Sequence, residues 1–247
     1  MYSQEITRQP RAAIVIAIDQ SCSMGGHIKL NGREFTKAEV VSMVTGRLID
    51  ELIMRSHRDG EYRHYYDIAL VGYSGEEVYS LLGDELSFYP ITTLAGREVR
   101  RTIYALNYNT IHRGVQSFNE EVSLWVEPRS QGATPMYRMI ISVTELVKSW
   151  CAKQENSDSF PPIVLNITDG EASDANDEML RIAANSLKQT CTEDGNTIFA
   201  NIHISSDTNH APILFPNNRE VPLAIRQAHL MMDMSSLMPE TFHPYIS

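Results

Sequence analysis

Apolar residues fall along this chain in short β-branched runs, separated by stretches with helical spacing. Residues 12–18 read AAIVIAI, seven apolar positions in a row, which predicts a central strand covered on both faces. A polar, glycine-containing loop over 19–26 follows. Thr36, with Glu39 three residues later, then forms a capping box at a helix start. Val41, Val44, Leu48 and Leu52 step by 3, 4 and 4, which predicts one apolar helix face and an end near 57–60. Residues 66–73 hold a second apolar strand around Ile68–Val71. A turn at 74–76 and a short strand over Val78–Leu82 make a hairpin with it.

The interval 83–131 has the weakest periodicity, and helices are expected there around Arg97–Leu106 and Val115–Val122. Regular spacing returns at Gly132-Ala-Thr-Pro-Met136. Pro135 suits the first helical position, with Thr134 before it as the cap. Met136, Ile140, Val143, Val147 and Trp150 step by 4, 3, 4 and 3, the spacing of an amphipathic helix. Beyond a polar loop over 154–162, a strand is expected over Ile163–Ile167, a helix over about 177–188 and a strand over 197–204. A loop over 207–222, a helix over 223–234 and a polar tail over 238–247 complete the chain. Strands alternating with helices predict an α/β fold with a mostly parallel sheet covered on both faces. Ligands of such sheets bind beyond the carboxyl ends of the strands, where the strand order reverses. Asp19 and Asp169 fall at two such ends. With no internal repeat and no linker, residues 1–247 are expected to form a single domain with a core over about 11–240.

Composition narrows the partners. The 247 residues are 43% hydrophobic and 21% charged, enough apolar material for a packed core. Thirty-one acids against 21 bases give a formal charge of -10, which argues against a nucleic-acid face, since phosphate contacts need clustered Lys and Arg. A cation or a basic surface suits such a chain better. Three widely spaced cysteines, Cys22, Cys151 and Cys191, match neither a disulfide framework nor a zinc site and point to a reducing, cytoplasmic setting. No apolar run marks a signal peptide in the first residues or a membrane helix anywhere. The end at 245–247 admits a longer parent chain.

Asp19, Ser21 and Ser23 form D-x-S-x-S on the loop after the first strand. Alternate residues of an extended loop project to one side, so a carboxylate and two hydroxyls can converge there. Thr134 adds a hydroxyl from a helix start and Asp169, in Thr-Asp-Gly, a second carboxylate. All five are hard oxygen donors, suited to Mg²⁺, Mn²⁺ or Ca²⁺. Two carboxylates in one site repel unless a proton or a cation intervenes. On that ground alone, removing Asp169 should leave the fold intact or slightly more stable without metal. Taken singly, each residue has a plainer role: Asp19 and Ser21 as turn residues, Thr134 as an N-cap, Asp169-Gly170 as a turn.

With these motifs in this order the chain resembles a von Willebrand factor A (VWA) domain of the bacterial intracellular type, whose metal-ion-dependent adhesion site has D-x-S-x-S, a distant Thr and a distant Asp. The resemblance implies a Rossmann-like, doubly wound sheet with one antiparallel edge strand, which the 66–82 hairpin would supply. It also implies a divalent cation, Mg²⁺ first, held by Asp19, Ser21, Ser23, Thr134 and Asp169. A protein partner would supply an Asp or Glu to that ion, within an assembly containing an AAA+ ATPase, kinase or phosphatase. Cys22 stands where many members have Gly.

The function expected is therefore non-enzymatic binding, with no nucleic acid and no membrane as partner. The alternative is a metal-dependent hydrolase or phosphatase in the same pocket, which would need a base or nucleophile beside the ion. Asp19-Gln-Ser lacks the D-x-D of a phosphoaspartate enzyme, and no His follows either strand end directly. Gly72-Tyr-Ser-Gly-Glu76 lacks the last Gly of a nucleophile elbow. No phosphate-binding glycine motif occurs. Met231, Met232, Met234 and Met238 are expected to fill core space under the last helix.

Overall fold

A computed structural model describes residues 2–7, 9–30, 33–110, 114–205 and 226–240. Strand β1 (Ala12–Asp19) is buried along its whole length, as its unbroken apolar run requires. It leads through a short turn of helix at Cys22–Gly25 into a small hairpin of β2 (His27–Leu30) and β3 (Arg33–Thr36). Helix α1 (Lys37–Ser56) follows. Its capping box is present in full, with the Thr36 hydroxyl accepting from Glu39 N and the Glu39 carboxylate accepting from Thr36 N. Two short strands, β4 (His57–Arg58) and β5 (Glu61–Tyr62), turn the chain. They deliver it to β6 (Tyr66–Ser74), which is followed by β7 (Glu77–Ser80) and β8 (Tyr89–Pro90). Next come β9 (Arg100–Thr110), β10 (Gly114–Leu124), α2 (Met136–Cys151), β11 (Phe160–Thr168) and α3 (Asp177–Lys188). A hairpin of β12 (Cys191–Thr192) and β13 (Gly195–Asn196), then β14 (Ile198–His203) and α4 (Arg226–Met234), complete the described elements.

The central sheet has the order β14-β11-β1-β6-β7, with β8 sharing the outer edge of β6. β14, β11, β1 and β6 run parallel, while β7 and β8 are antiparallel to β6. The expected α/β class is observed, with an antiparallel edge supplied by the 66–82 hairpin. After β1 the chain moves one way to β6, and later to the other side of β1 for β11 and β14. The strand order therefore reverses between β1 and β11, the position at which sheets of this kind bind ligands.

Alternation along the strands builds two cores. Ile14, Ile16 and Ile18 of β1 and Ile68 and Leu70 of β6 pack with Val41, Ile49, Leu52 and Ile53 of α1. Val15, Ala17, Ala69, Val71, Tyr73, Val164 and Phe199 face the other way, against α2, α3 and α4. On α2 all five residues of the expected stripe are buried. Met231 and Met234 of α4 fill core space as expected, whereas Met232 and Met238 are only half-buried. Expectations for 207–222, and for the outer parts of the last helix and tail, lie outside the described residues.

Three expectations need correction. The interval expected to hold helices around Arg97–Leu106 and Val115–Val122 is a long antiparallel hairpin of β9 and β10, paired from Arg100–Leu124 to Thr110–Gly114. The hairpin lies on α1, where Val122 and Leu124 pack with Val40 and Met43. That second buried face explains the next difference. Val44, placed on the apolar stripe by its spacing, is exposed, because α1 buries two flanks rather than one. Lastly, α2 begins at Met136 with Pro135 in the cap position, and its first amides are capped from elsewhere in the chain.

Gly46 marks the closest approach between α1 and the hairpin. A methyl group there would overlap the backbone carbonyl of Ser123, a residue of β10 paired with Arg101 of β9. Ala normally favours a helix interior over Gly by about 1 kcal/mol. Gly46→Ala is nevertheless expected to destabilise the domain by roughly 1–3 kcal/mol, the usual range for overpacking. Urea unfolding of the two proteins measures this, and an equal or raised midpoint would contradict the packing described.

Candidate cation site at the carboxyl ends of β1 and β11

Asp19 is the last residue of β1, and Asp169 follows directly on the last residue of the neighbouring β11. Parallel pairing of the two strands brings their carboxyl ends together. Asp19 is 1% exposed. One carboxylate oxygen accepts from the Ser21 amide at 2.9 Å and the other from the Thr168 hydroxyl at 2.8 Å. Burial, opposed by these hydrogen bonds and reinforced by the Asp169 charge, raises its pKa above the ordinary range.

The two serines continue the cluster. Ser21 Oγ and Ser23 Oγ are 3.0 Å apart, and Ser23 Oγ donates to Asp169 Oδ1 at 2.7 Å. The Lys37 ammonium donates to the other Asp169 oxygen at 2.9 Å, with side chains only 11% and 5% exposed. Sequence reasoning did not single out Lys37, the first residue of α1. The His203 Nε2–H donates to the Asp169 carbonyl at 3.1 Å, and burial lowers the imidazole pKa, which favours the neutral ring.

Thr134 reaches the same end of the sheet by a different route. Gln131 N donates to Gln20 O, Cys22 N to Gly132 O and Gly75 N to Ala133 O, so residues 131–133 lace the loops after β1 and β6 together. Gly132 adopts φ +78°, and a Cβ there would collide with the Gly75 backbone; only glycine allows the crossing. Thr134 N donates to Ser173 Oγ, and Ser173 N donates back to Thr134 O, both at 2.9 Å. Asp174 then caps α2, its two oxygens accepting from Tyr137 N and Arg138 N at 3.0 Å each. Asp19, Ser21, Ser23 and Asp169 are joined by hydrogen bonds. Thr134 is buried on the adjoining loop, and its described bonds run through its backbone.

The donor chemistry suits a small hard cation. An Mg²⁺ octahedron with bonds of about 2.1 Å places neighbouring oxygens roughly 3.0 Å apart, close to the Ser21–Ser23 and Ser23–Asp169 separations of 3.0 and 2.7 Å. The Lys37 ammonium already supplies positive charge at this position. Among the described residues no group of three His, Cys, Asp or Glu side chains gathers to hold a metal. An ion here would therefore depend on the hydroxyls. Among the described residues no helix is long and apolar enough to cross a membrane.

No family model and no curated protein matches the chain. Similar solved structures include a von Willebrand factor type A protein from Catenulispora acidiphila, 16% identical, with a TM-score of 0.44 over 77% of this chain and 32% of that one. The pilus adhesin RrgA from Streptococcus pneumoniae is 17% identical, with a TM-score of 0.34 over 66% of this chain and 21% of that one. An uncharacterised membrane-spanning protein from Vibrio fischeri is 14% identical, with a TM-score of 0.33 over 81% and 93%. The chain thus spans about a third and a fifth of the first two. At such distances no property of these proteins transfers to this one.

Lys37 reverses one expectation. Removing Asp169 relieves repulsion with Asp19 but strands a nearly buried ammonium. Breaking a buried pair from one side typically costs about 3–5 kcal/mol. Asp169→Ala is therefore expected to lower the melting temperature in EDTA rather than leave it unchanged or raised. Calorimetric melting of the variant and wild type reads this directly, and an unchanged midpoint would mean that the pair contributes nothing to stability.

Proposed function

We propose that this chain is a VWA-like, non-enzymatic binding module. It holds a divalent cation, Mg²⁺ first with Mn²⁺ or Ca²⁺ as alternatives, and uses it to engage an acidic side chain of a protein partner. The observation that carries this reading is the oxygen cluster of Asp19, Ser21, Ser23 and Asp169, with a cation, the Lys37 ammonium, already drawn onto it. In this reading Ser21 and Ser23 offer neutral hydroxyls, Thr134 a third from the adjoining loop, and Asp19 and Asp169 the charge. Asp19 accepts from the Ser21 amide and Thr168 hydroxyl, which fixes its carboxylate plane and orients the serine loop around it.

The ion, when bound, supplies a positive centre on which a partner carboxylate can complete the coordination. With only one of the two carboxylates coordinating directly and the other donors neutral hydroxyls, that centre keeps positive character despite the formal charge of -10 on the chain. A place in a multi-protein cytoplasmic assembly, beside an AAA+ ATPase, kinase or phosphatase, fits such a module. Its three free thiols suit a reducing compartment.

Isothermal titration with MgCl₂ and with MnCl₂ tests the site. Saturable binding by wild type, lost in Asp19→Ala and weakened at least about tenfold in Thr134→Ala, is the expected result. Pull-down from the source cell with Mg²⁺ and with EDTA then tests the partner: EDTA should release it. Equal capture in both conditions would sink the adhesion reading. Phosphatase turnover that needs Mg²⁺ and disappears in Asp19→Ala would replace it with the hydrolase.

A further inference from the structure

Lys37 occupies a position that local rules disfavour. It is the first residue of α1, where the positive end of the helix dipole favours acids and repels an ammonium. It is also 9% exposed, and lysines are almost never buried unless paired. A residue that breaks two local preferences at once needs a compensating interaction, and the salt bridge to Asp169 provides it. The rest of the residue is built to hold that pose. Its backbone N–H donates to Gly26 O at 2.8 Å, tying the start of α1 to the loop that carries Ser21 and Ser23. Its stem passes Gly26 so closely that a Cβ there would lie 3.4 Å from Lys37 Cε and 3.6 Å from Nζ.

We infer that the Lys37 ammonium and the divalent cation are alternative occupants of the same carboxylate, so that Lys37 acts as a tethered competitor setting the affinity of the site. The inference rests on the cation reading above and deepens it. Ser23 and Lys37 together engage both oxygens of Asp169. A cation approaching Asp169 from the serine side meets an oxygen whose charge is already partly neutralised. Full charge on Asp169 is recovered only when the ammonium withdraws, which four rotatable methylenes permit. Exchange replaces one positive charge by two and leaves Asp169 paired at either stage. The apparent affinity is then the intrinsic affinity reduced by the fraction of molecules in which Lys37 has let go. With the ammonium in place Asp169 is already paired, and the domain stays folded when divalent ions are scarce.

The test compares Mg²⁺ and Mn²⁺ binding by calorimetry in wild type, Lys37→Met and Lys37→Gln. Both variants should bind at least about tenfold more tightly than wild type, and should gain more melting temperature from Mg²⁺. A measurement on the unaltered protein guards against variants that fold poorly. Acetic anhydride labelling with mass spectrometry should find Lys37 protected in EDTA and reactive in saturating Mg²⁺, while other lysines are unchanged. If wild type binds Mg²⁺ but the variants bind no tighter and Lys37 stays protected, the competition is overturned and the cation site stands. If neither wild type nor variants bind Mg²⁺ or Mn²⁺, the cation site falls, and the competition with it.

Discussion

Carboxylates taken out of water at the ends of adjacent parallel strands must be neutralised, and much of the surrounding structure answers to that requirement. Asp19 and Asp169 come together because β1, at the sheet centre, and β11 are parallel neighbours. Each is satisfied differently. Asp19 has an amide and a hydroxyl and a pKa raised by burial. Asp169 has a hydroxyl and an ammonium. An uncompensated ion at this depth would cost several kcal/mol, so the loop after β1, the start of α1 and β11 are all constrained by the same charges. The polar character continues beneath the site. The Tyr73 hydroxyl donates to Asn166 at 2.7 Å, Asn166 donates to Asn201 at 2.9 Å, and Asn201 donates to the Met231 carbonyl and the Ser235 hydroxyl at the end of α4. Burial, and then the nearby charge of Asp19, keeps the Tyr73 phenol protonated well above its usual range. A fully bonded polar chain of this kind fixes one arrangement of β6, β11, β14 and α4.

Legibility in the sequence followed how local each signal was. The apolar run of β1, the Thr36–Glu39 capping box and the α2 stripe are complete within a few residues, and each appears where its pattern placed it. The β9–β10 hairpin failed because its alternation is diluted. Tyr104, Val122 and Leu124 pack in the cluster with α1, while Ile103 is 68% exposed on the opposite face. An apolar residue on the wrong face fills the gap that would reveal a period of two, leaving a spacing that reads as helical. The α2 cap was misplaced for the opposite reason: the capping carboxylate, Asp174, lies 37 residues from the amide it serves.

The site shows the same division. Asp19, Ser21 and Ser23 are near in sequence, and their convergence could be read from spacing; Asp169 was found as a carboxylate at a strand end. Lys37 escaped because nothing links residue 37 to residue 169 until the strands are ordered. The available clue was negative: an ammonium in the first turn of a capped helix opposes the dipole and asks for a buried anion nearby.

Two assemblies meet at this cluster. One consists of the β1 end, the serine loop and the start of α1, fastened by the Lys37–Gly26 backbone bond and by Met24, which is buried in the α1 core. The other consists of the segment after β11 and the start of α2, fastened by Ser173 on Thr134 and Asp174 on the α2 amides. Residues 131 and 132 bind the first through backbone, and residue 134 binds the second, so the segment leading into α2 bridges both. Across the seam between them, the side-chain links include Ser23 to Asp169 and Lys37 to Asp169. Asp169 is therefore the residue on which the two halves converge. Through Ser23 and Lys37 it holds the serine loop and the start of α1 against the segment that positions Thr134.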